Sequence, residues 1–115
     1  WMLADMHVQL EAGRLLIYRA AANAGRGFPD TLEAAVAKLL TAESAITVTN
    51  TAMQIHGALG YSCDLPIERM VRDARMYAIG GGTTQILRNV IASRLLPKEY
   101  SRGTGRYAGA ERRPE

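Results

Sequence analysis

Cysteine is nearly absent: Cys63 stands alone among 115 residues. No internal disulfide can form, which suits a reducing compartment. The only histidines are His7 and His56, and neither has a histidine or cysteine close by, so no metal-ligand spacing is present. No nucleophile is paired with a base at a recognisable spacing. Long apolar runs are missing too: none approaches the roughly 18–20 residues that cross a bilayer as a helix. Period-two alternation is also absent, which leaves no strand pattern. Finally, Trp1-Met2-Leu3-Ala4-Asp5 shows no leader and starts in mid-helical phase. That reads as a segment of a longer polypeptide.

The net charge of +3 suggests an anionic partner, but its distribution argues against nucleic acid. From Lys98 onward five basic residues face three acids, a net +2; residues 1–97 carry nine basic and eight acidic residues, a net +1. Much of the positive charge therefore belongs to a tail and not to one face of a folded domain. Residues 98–115 are rich in Gly, Arg, Glu and small residues, with too few apolar groups to offset ordering entropy, and are expected to be disordered.

What is plentiful is helical periodicity. Leu3, Met6, Leu10, Gly13, Ile17 and Ala20 follow 3-4 spacing and predict a helix over 1–24 with these residues on one stripe. Met2, Val8, Leu15 and Leu16 lie off that stripe and call for partners from an upstream segment. Gly25 and Pro29 break the pattern, and Asp30 or Thr31 can cap a second helix over 31–56. Its stripe is Leu32, Ala35, Leu39, Ala42, Ile46, Thr49 and Met53, with many alanines that let neighbours approach closely. Residues 57–61 end it. Pro66 opens a shorter helix to about residue 76, with Ile67, Met70, Val71 and Ala74 as its apolar set. A last helix covers 84–95, with Ile86, Val90 or Leu87, Ala92 and Leu96 inward, closed by Pro97. The expected fold is all-α: an antiparallel helix bundle of three long helices and one short one, followed by the tail.

The stretch most suggestive of function is Ile79-Gly80-Gly81-Gly82-Thr83-Thr84-Gln85-Ile86. Three glycines leading into a helix start offer uncovered N–H groups and a positive dipole end, which suit a phosphate or another anion. The plainer reading is a hinge before a helix capped by Thr83. A second glycine-bearing helix end, Gln54-Ile55-His56-Gly57-Ala58-Leu59-Gly60-Tyr61, lies upstream, with Arg69, Arg72, Asp73 and Arg75 between the two.

Taken together, Gln54-Ile55-His56-Gly57 with Gly60-Tyr61, Pro66-Ile67-Glu68-Arg69, Arg72-Asp73-Ala74-Arg75, and Gly82-Thr83 with Ile86 resemble the C-terminal signature of the acyl-CoA dehydrogenases. Ala4-Asp5-Met6 with Leu10-Glu11-Ala12 and Arg14-Leu15-Leu16, and Ala37-Lys38-Leu39 with Ala42-Glu43, are similar to the same family. The resemblance covers residues 1–97. It implies an FAD flavoprotein that abstracts an α-proton from an acyl-CoA while hydride leaves the β-carbon, with an electron-transfer flavoprotein or similar acceptor. It further implies a homotetramer built as a dimer of dimers, of which this chain is most of the C-terminal bundle. Alone, that segment is expected to be inactive. The expected location is the bacterial cytoplasm, or the mitochondrial matrix in a eukaryote.

By this resemblance Gln54, Ile55, His56, Gly57 and Ala58 contact the FAD of a neighbouring subunit, and Thr83, Thr84 and Gln85 contact FAD in their own. Gly81 and Gly82 line the acyl thioester site, leaving room for a bulky acyl group. Gly81 stands where many members carry the catalytic glutamate, and glycine takes no proton, so no catalytic residue is expected in this segment. Either the base lies on an earlier helix, as in the isovaleryl and long-chain types, or the protein is a same-fold flavoprotein with other chemistry. A non-enzymatic helical module with an anion-binding tail is the remaining alternative. Among the other polar residues, Glu11, Arg14 and Glu43 read as bundle or interface ion pairs. Glu68, Arg69, Arg72, Asp73 and Arg75 read as an ion-pair network holding the short helix to its neighbours. His56 reads as a cap or packing residue, Tyr61 as a packed aromatic, and Cys63 as inert.

Overall fold

The computed structural model describes residues 1–96. They form four helices and, among the described residues, no strand: α1 (Met2–Asn23), α2 (Thr31–Tyr61), α3 (Ile67–Tyr77) and α4 (Thr84–Leu95). The all-α expectation holds. α1 and α2 run for 22 and 31 residues, α3 and α4 for 11 and 12. The expected tail over 98–115 and the closure by Pro97 lie outside the described residues. No described helix is long and apolar enough to cross a membrane.

α1 ends where Gly25 takes φ 57°, a left-handed conformation that glycine adopts without Cβ strain. Asp30 then caps α2, its Oδ1 accepting from the N–H groups of Leu32 at 2.8 Å and Glu33 at 3.3 Å. Glu33 turns back to α1, accepting from Asn23 Nδ2 at 2.8 Å and pairing with Arg19 Nε at 3.5 Å. The hairpin is thus pinned at its turn as well as along its faces.

α2 is the axis of the fold. α1, α3 and α4 each pack on it and not on one another. Its anticipated stripe is buried or half-buried throughout, and Ala37, Ser44 and Gly60, off that stripe, are buried as well. The contact surfaces consist of small groups: Ala20 on α1; Ala35, Ala37, Ala42 and Ser44 on α2; Ala74 on α3; and Thr84 on α4. Small side chains let helix backbones approach closely, but they leave little apolar volume between them. No large side chain is fully buried among the described residues.

Three stripes differ from the sequence reading, that of α3 at one position: Met70, expected in its apolar set, is exposed. On α1 the inward residues are Met2, Met6, Gln9, Gly13, Leu16 and Ala20, whereas Leu3, Leu10 and Ile17 are exposed. α1 lies close to α2 at Gly13, where an added Cβ would lie 3.1 Å from Thr41 Cγ2. That contact rotates Leu10 and Ile17 to one side, where they border a groove of about 330 Å³ with Tyr18 and Ser44. Of the four residues expected off the stripe, Val8 and Leu15 are exposed, whereas Met2 and Leu16 are half-buried. On α4, Leu87, Val90 and Ile91 face α2, whereas Ile86, Ala92 and Leu96 are exposed. α4 meets one neighbour, so only the narrow face around Leu87 is selected.

Candidate functional site

The glycine stretch forms the turn between α3 and α4. α3 frays into it through bonds from the N–H groups of Ile79 and Gly80 to the Met76 carbonyl, at 3.0 and 2.7 Å. The N–H of Thr84 closes the turn on the Ala78 carbonyl at 3.1 Å. Between these ties Gly81 and Gly82 take φ 68° and 95°, values that L side chains rarely adopt. Thr83 caps α4 as expected, its Oγ1 accepting from Ile86 N at 3.2 Å. The N–H groups of Gly81, Gly82 and Thr83 donate to no group among the described residues. They form a short row of free donors beside a helix N-terminus, chemistry that suits a carbonyl oxygen or an anion.

The turn is fastened to α2 by Lys38. Its ammonium donates to the Tyr77 carbonyl and, at 3.1 Å, to that of Gly80. The Tyr77 carbonyl belongs to the last turn of α3, where carbonyls lack intrahelical partners and the dipole favours a cation, and the Gly80 carbonyl belongs to the glycine turn that follows. The stem of Lys38 runs beneath Gly81, with Cε 3.8 Å from where a Cβ would stand. Together with Phe28, Ala34, Leu87 and Val90, these two residues border a groove of about 430 Å³. α4 is held to α2 by Arg88, which donates to Glu43 Oε1 at 2.6 Å and to the Thr84 carbonyl at 3.3 Å. Thr84 is buried, its hydroxyl 3.3 Å from Gln85 Oε1, while Gln85 itself is exposed.

The second glycine segment behaves differently from the sequence expectation. α2 does not end at His56. Gly57 breaks it with φ 56° and ψ −140°, and a further turn continues to Tyr61 before Ser62 caps it. Gly60 is buried in that turn, because a Cβ there would meet His56 Cβ at 2.8 Å and the Met53 carbonyl at 2.9 Å. His56 is exposed and not packed: its Nδ1 lies 2.8 Å from the Ala52 carbonyl of the same helix, which only accepts, so the ring hydrogen belongs on Nδ1. Gln54, Ile55, His56, Gly57 and Ala58 are all exposed, and Gln54 borders a groove with Met2 and Asn50. Tyr61 is 79% exposed and not packed.

The candidate residues therefore fall into two groups. Thr83, Thr84, Gln85, Gly81 and Gly82 gather at the turn beside Lys38. Gln54 to Ala58 lie farther along α2, about 24 Å from Lys38 at 1.5 Å per helical residue. One chain does not bring the two together. The ion pairs expected to hold α3 to its neighbours are also redistributed: Arg69 pairs with Asp73 at 3.9 Å and Arg72 with Glu68 at 3.1 Å, both within α3. The ion pairs that cross helices among the described residues are Arg19–Glu33, between α1 and α2, and Glu43–Arg88, between α2 and α4. Sequence reasoning missed Lys38 and Arg88 as anchors. The available signal was a lysine set among the alanines of α2, where the helix is otherwise closely packed.

Residues 1–96 match the family described as acyl-CoA dehydrogenase, C-terminal domain. A 3-sulfinopropanoyl-CoA desulfinase of Paraburkholderia xenovorans strain LB400 is 59% identical over 101 residues, 88% of this chain and 26% of that protein. A short-chain-specific acyl-CoA dehydrogenase of Clostridium acetobutylicum is 44% identical over 95 residues, 83% of this chain and 25% of that protein. Among solved structures, a chain described under "Electron transferring flavoprotein of Acidaminococcus fermentans: Towards a mechanism of flavin-based electron bifurcation" superposes with a TM-score of 0.79. It is 42% identical, and the match covers 83% of this chain and 25% of that one. The chain thus spans about a quarter of the length of the curated relatives it matches.

Proposed function

The chain belongs to the acyl-CoA dehydrogenase family, in its C-terminal helical domain, and from that premise we propose that the whole protein is an FAD-binding enzyme that desulfinates 3-sulfinopropanoyl-CoA or a close analogue. Gly81 carries this reading. The turn that would face the thioester holds no carboxylate, and the 59% identity to a desulfinase exceeds the 44% to a dehydrogenase.

The reaction is balanced by water alone. The C3–S bond breaks with its electron pair left on carbon, C3 takes a proton from water, and sulfur gains the oxygen. The products are propanoyl-CoA and sulfite. No external electron acceptor enters, and no α-proton must be removed. A glycine at position 81 is then no defect, because it keeps the groove beside the turn open for the acyl group.

The residues fit a dinucleotide in two places. The free N–H groups at the α4 start, with Thr83, Thr84 and Gln85, suit the cofactor of the same subunit. The exposed Gln54 amide and the backbone broken at Gly57 suit the cofactor of a neighbour. Their separation of about 24 Å along α2 supports two different bound cofactors in an assembly of several subunits. When bound, FAD would supply a hydride acceptor to a dehydrogenating member of the family. In this chain the donors at 81–83 would orient the thioester oxygen, and Lys38 and Thr84 would hold the turn that carries them.

In the same reading, residues 1–97 are part of the C-terminal domain and 98–115 are a basic tail. The rest of the polypeptide covers the apolar faces of α1, where Leu3, Val8, Leu15 and Tyr18 are exposed. The enzyme would be a homo-oligomer working in the bacterial cytoplasm. Incubating the full-length protein with 3-sulfinopropanoyl-CoA tests the proposal: sulfite and propanoyl-CoA should form in equal amounts without an added acceptor. If no sulfite forms, the desulfinase reading fails. The second reading, α,β-dehydrogenation with a base elsewhere in the polypeptide, is favoured by the identity to the short-chain dehydrogenase. It requires anaerobic bleaching of the flavin by an acyl-CoA, with electrons passing on to an electron-transfer flavoprotein or similar acceptor.

A further inference from the structure

We propose that Lys38 is a positioning residue for the substrate, acting through the glycine turn it holds. The inference rests on the reading above, in which Gly81 and Gly82 face the acyl thioester.

A turn of three consecutive glycines has unusually many backbone conformations open to it, and each must be excluded before its N–H groups can point one way. Side-chain packing cannot do this, since glycine has nothing to pack. The described structure offers two kinds of constraint. One is local: the N–H groups of Ile79 and Gly80 on the Met76 carbonyl, and of Thr84 on the Ala78 carbonyl, close the turn but do not place it relative to α2. The other is Lys38, whose ammonium bridges the carbonyls of Tyr77 and Gly80 from a helix 42 residues earlier. Neutral donors would bond those carbonyls more weakly. A cation also interacts favourably with the C-terminal end of α3, to which the Tyr77 carbonyl belongs.

Removing the ammonium leaves the turn closed but free to shift against α2, and the shift begins at Gly80, directly before the two residues that face the substrate. The helices need not change. α3 is still packed through Val71, Ala74 and Ala78, and α4 through Thr84, Leu87 and the Arg88–Glu43 pair. The predicted loss is therefore in substrate placement and not in the fold. Lys38 also borders the groove with Gly81, so its stem must be kept when its charge is removed. Lys38→Met does that, and Lys38→Arg keeps both charge and donors.

The test uses the full-length, flavin-loaded protein. In Lys38→Met, hydrogen exchange of the amides at 79–84 should quicken by about tenfold or more, while those of α2 and α4 stay within about threefold. With 3-sulfinopropanoyl-CoA the KM should rise about tenfold, the equivalent of one charge-assisted hydrogen bond, while kcat stays within about threefold. Lys38→Arg should recover most of the KM. Unchanged exchange at 79–84 overturns the proposal, and so does an equal fall in kcat, flavin content and melting temperature that arginine does not repair. If the wild-type protein releases no sulfite, the desulfinase reading fails. The exchange measurement still decides whether Lys38 orders the turn.

Discussion

Gly60 lies hard against His56: a Cβ built on it would sit 2.8 Å from the Cβ of His56. The contact exists because Gly57, between them, folds the end of α2 back with φ 56° and ψ −140°. The two glycines act together, one making the kink and the other filling the space the kink closes. Gly60→Ala should cost about 1–3 kcal/mol through overpacking. Gly57→Ala has nothing within 4 Å of the new methyl group, so its cost, also about 1–3 kcal/mol, comes from backbone strain. Denaturant midpoints of the full-length variants measure both. A second-site change that trims Met53 or His56 should not restore Gly57→Ala.

The turn glycines should differ from each other. Gly81 at φ 68° lies near the left-handed helical well, whereas Gly82 at φ 95° lies well outside it. Gly81→Ala should cost about 1 kcal/mol and Gly82→Ala about 2–3 kcal/mol. Neither change is crowded, since the nearest atoms to the added carbons are 3.8 Å away. Equal melting temperatures for the two variants would contradict the backbone argument.

Thr83 holds the start of α4 through one bond to Ile86 N at 3.2 Å. Thr83→Ala should lower stability by about 1 kcal/mol, whereas Thr83→Ser should leave it nearly unchanged, because serine keeps the accepting oxygen and caps at least as well. If the turn also faces the cofactor, the alanine variant should retain less flavin after gel filtration, read from the absorbance ratio of flavin to protein.

Arg88 and Glu43 make the bond between α4 and α2, yet their side chains are 52% and 44% exposed. Solvent screening limits such a pair to less than about 1 kcal/mol. A double-mutant cycle with Arg88→Met and Glu43→Gln should give a coupling of that size, falling as salt is raised from 0.05 to 0.5 M, concentrations at which the Debye length shrinks severalfold. A coupling above about 2 kcal/mol would mean that the rest of the polypeptide buries the pair.

Much of the fold is legible in the chain itself. The 3-4 spacing of apolar residues, the Gly25 and Pro29 break, the Asp30 and Thr83 caps and the helix start after Pro66 are local signals. Each depends on backbone dihedrals and nearby hydrogen bonds that neighbouring residues supply, so they could be read without knowing what packs where. The same holds for the chemistry missing at Gly81, which is a matter of residue type. Only the tertiary structure decided which side of each helix faces inward. α1 and α4 carry apolar groups over more than one stripe, and the choice between Leu10 and Gln9, or between Ile86 and Leu87, is made by contact with α2 alone. It also decided that α2 continues past Gly57, since the buried place of Gly60 is a packing outcome and not a propensity. The bond from Lys38 to Gly80 joins residues far apart in sequence, through a side chain that periodicity marks only as a charge among alanines. The sequence picked out the glycine turn as a candidate site; in the fold a lysine on another helix is bonded to it.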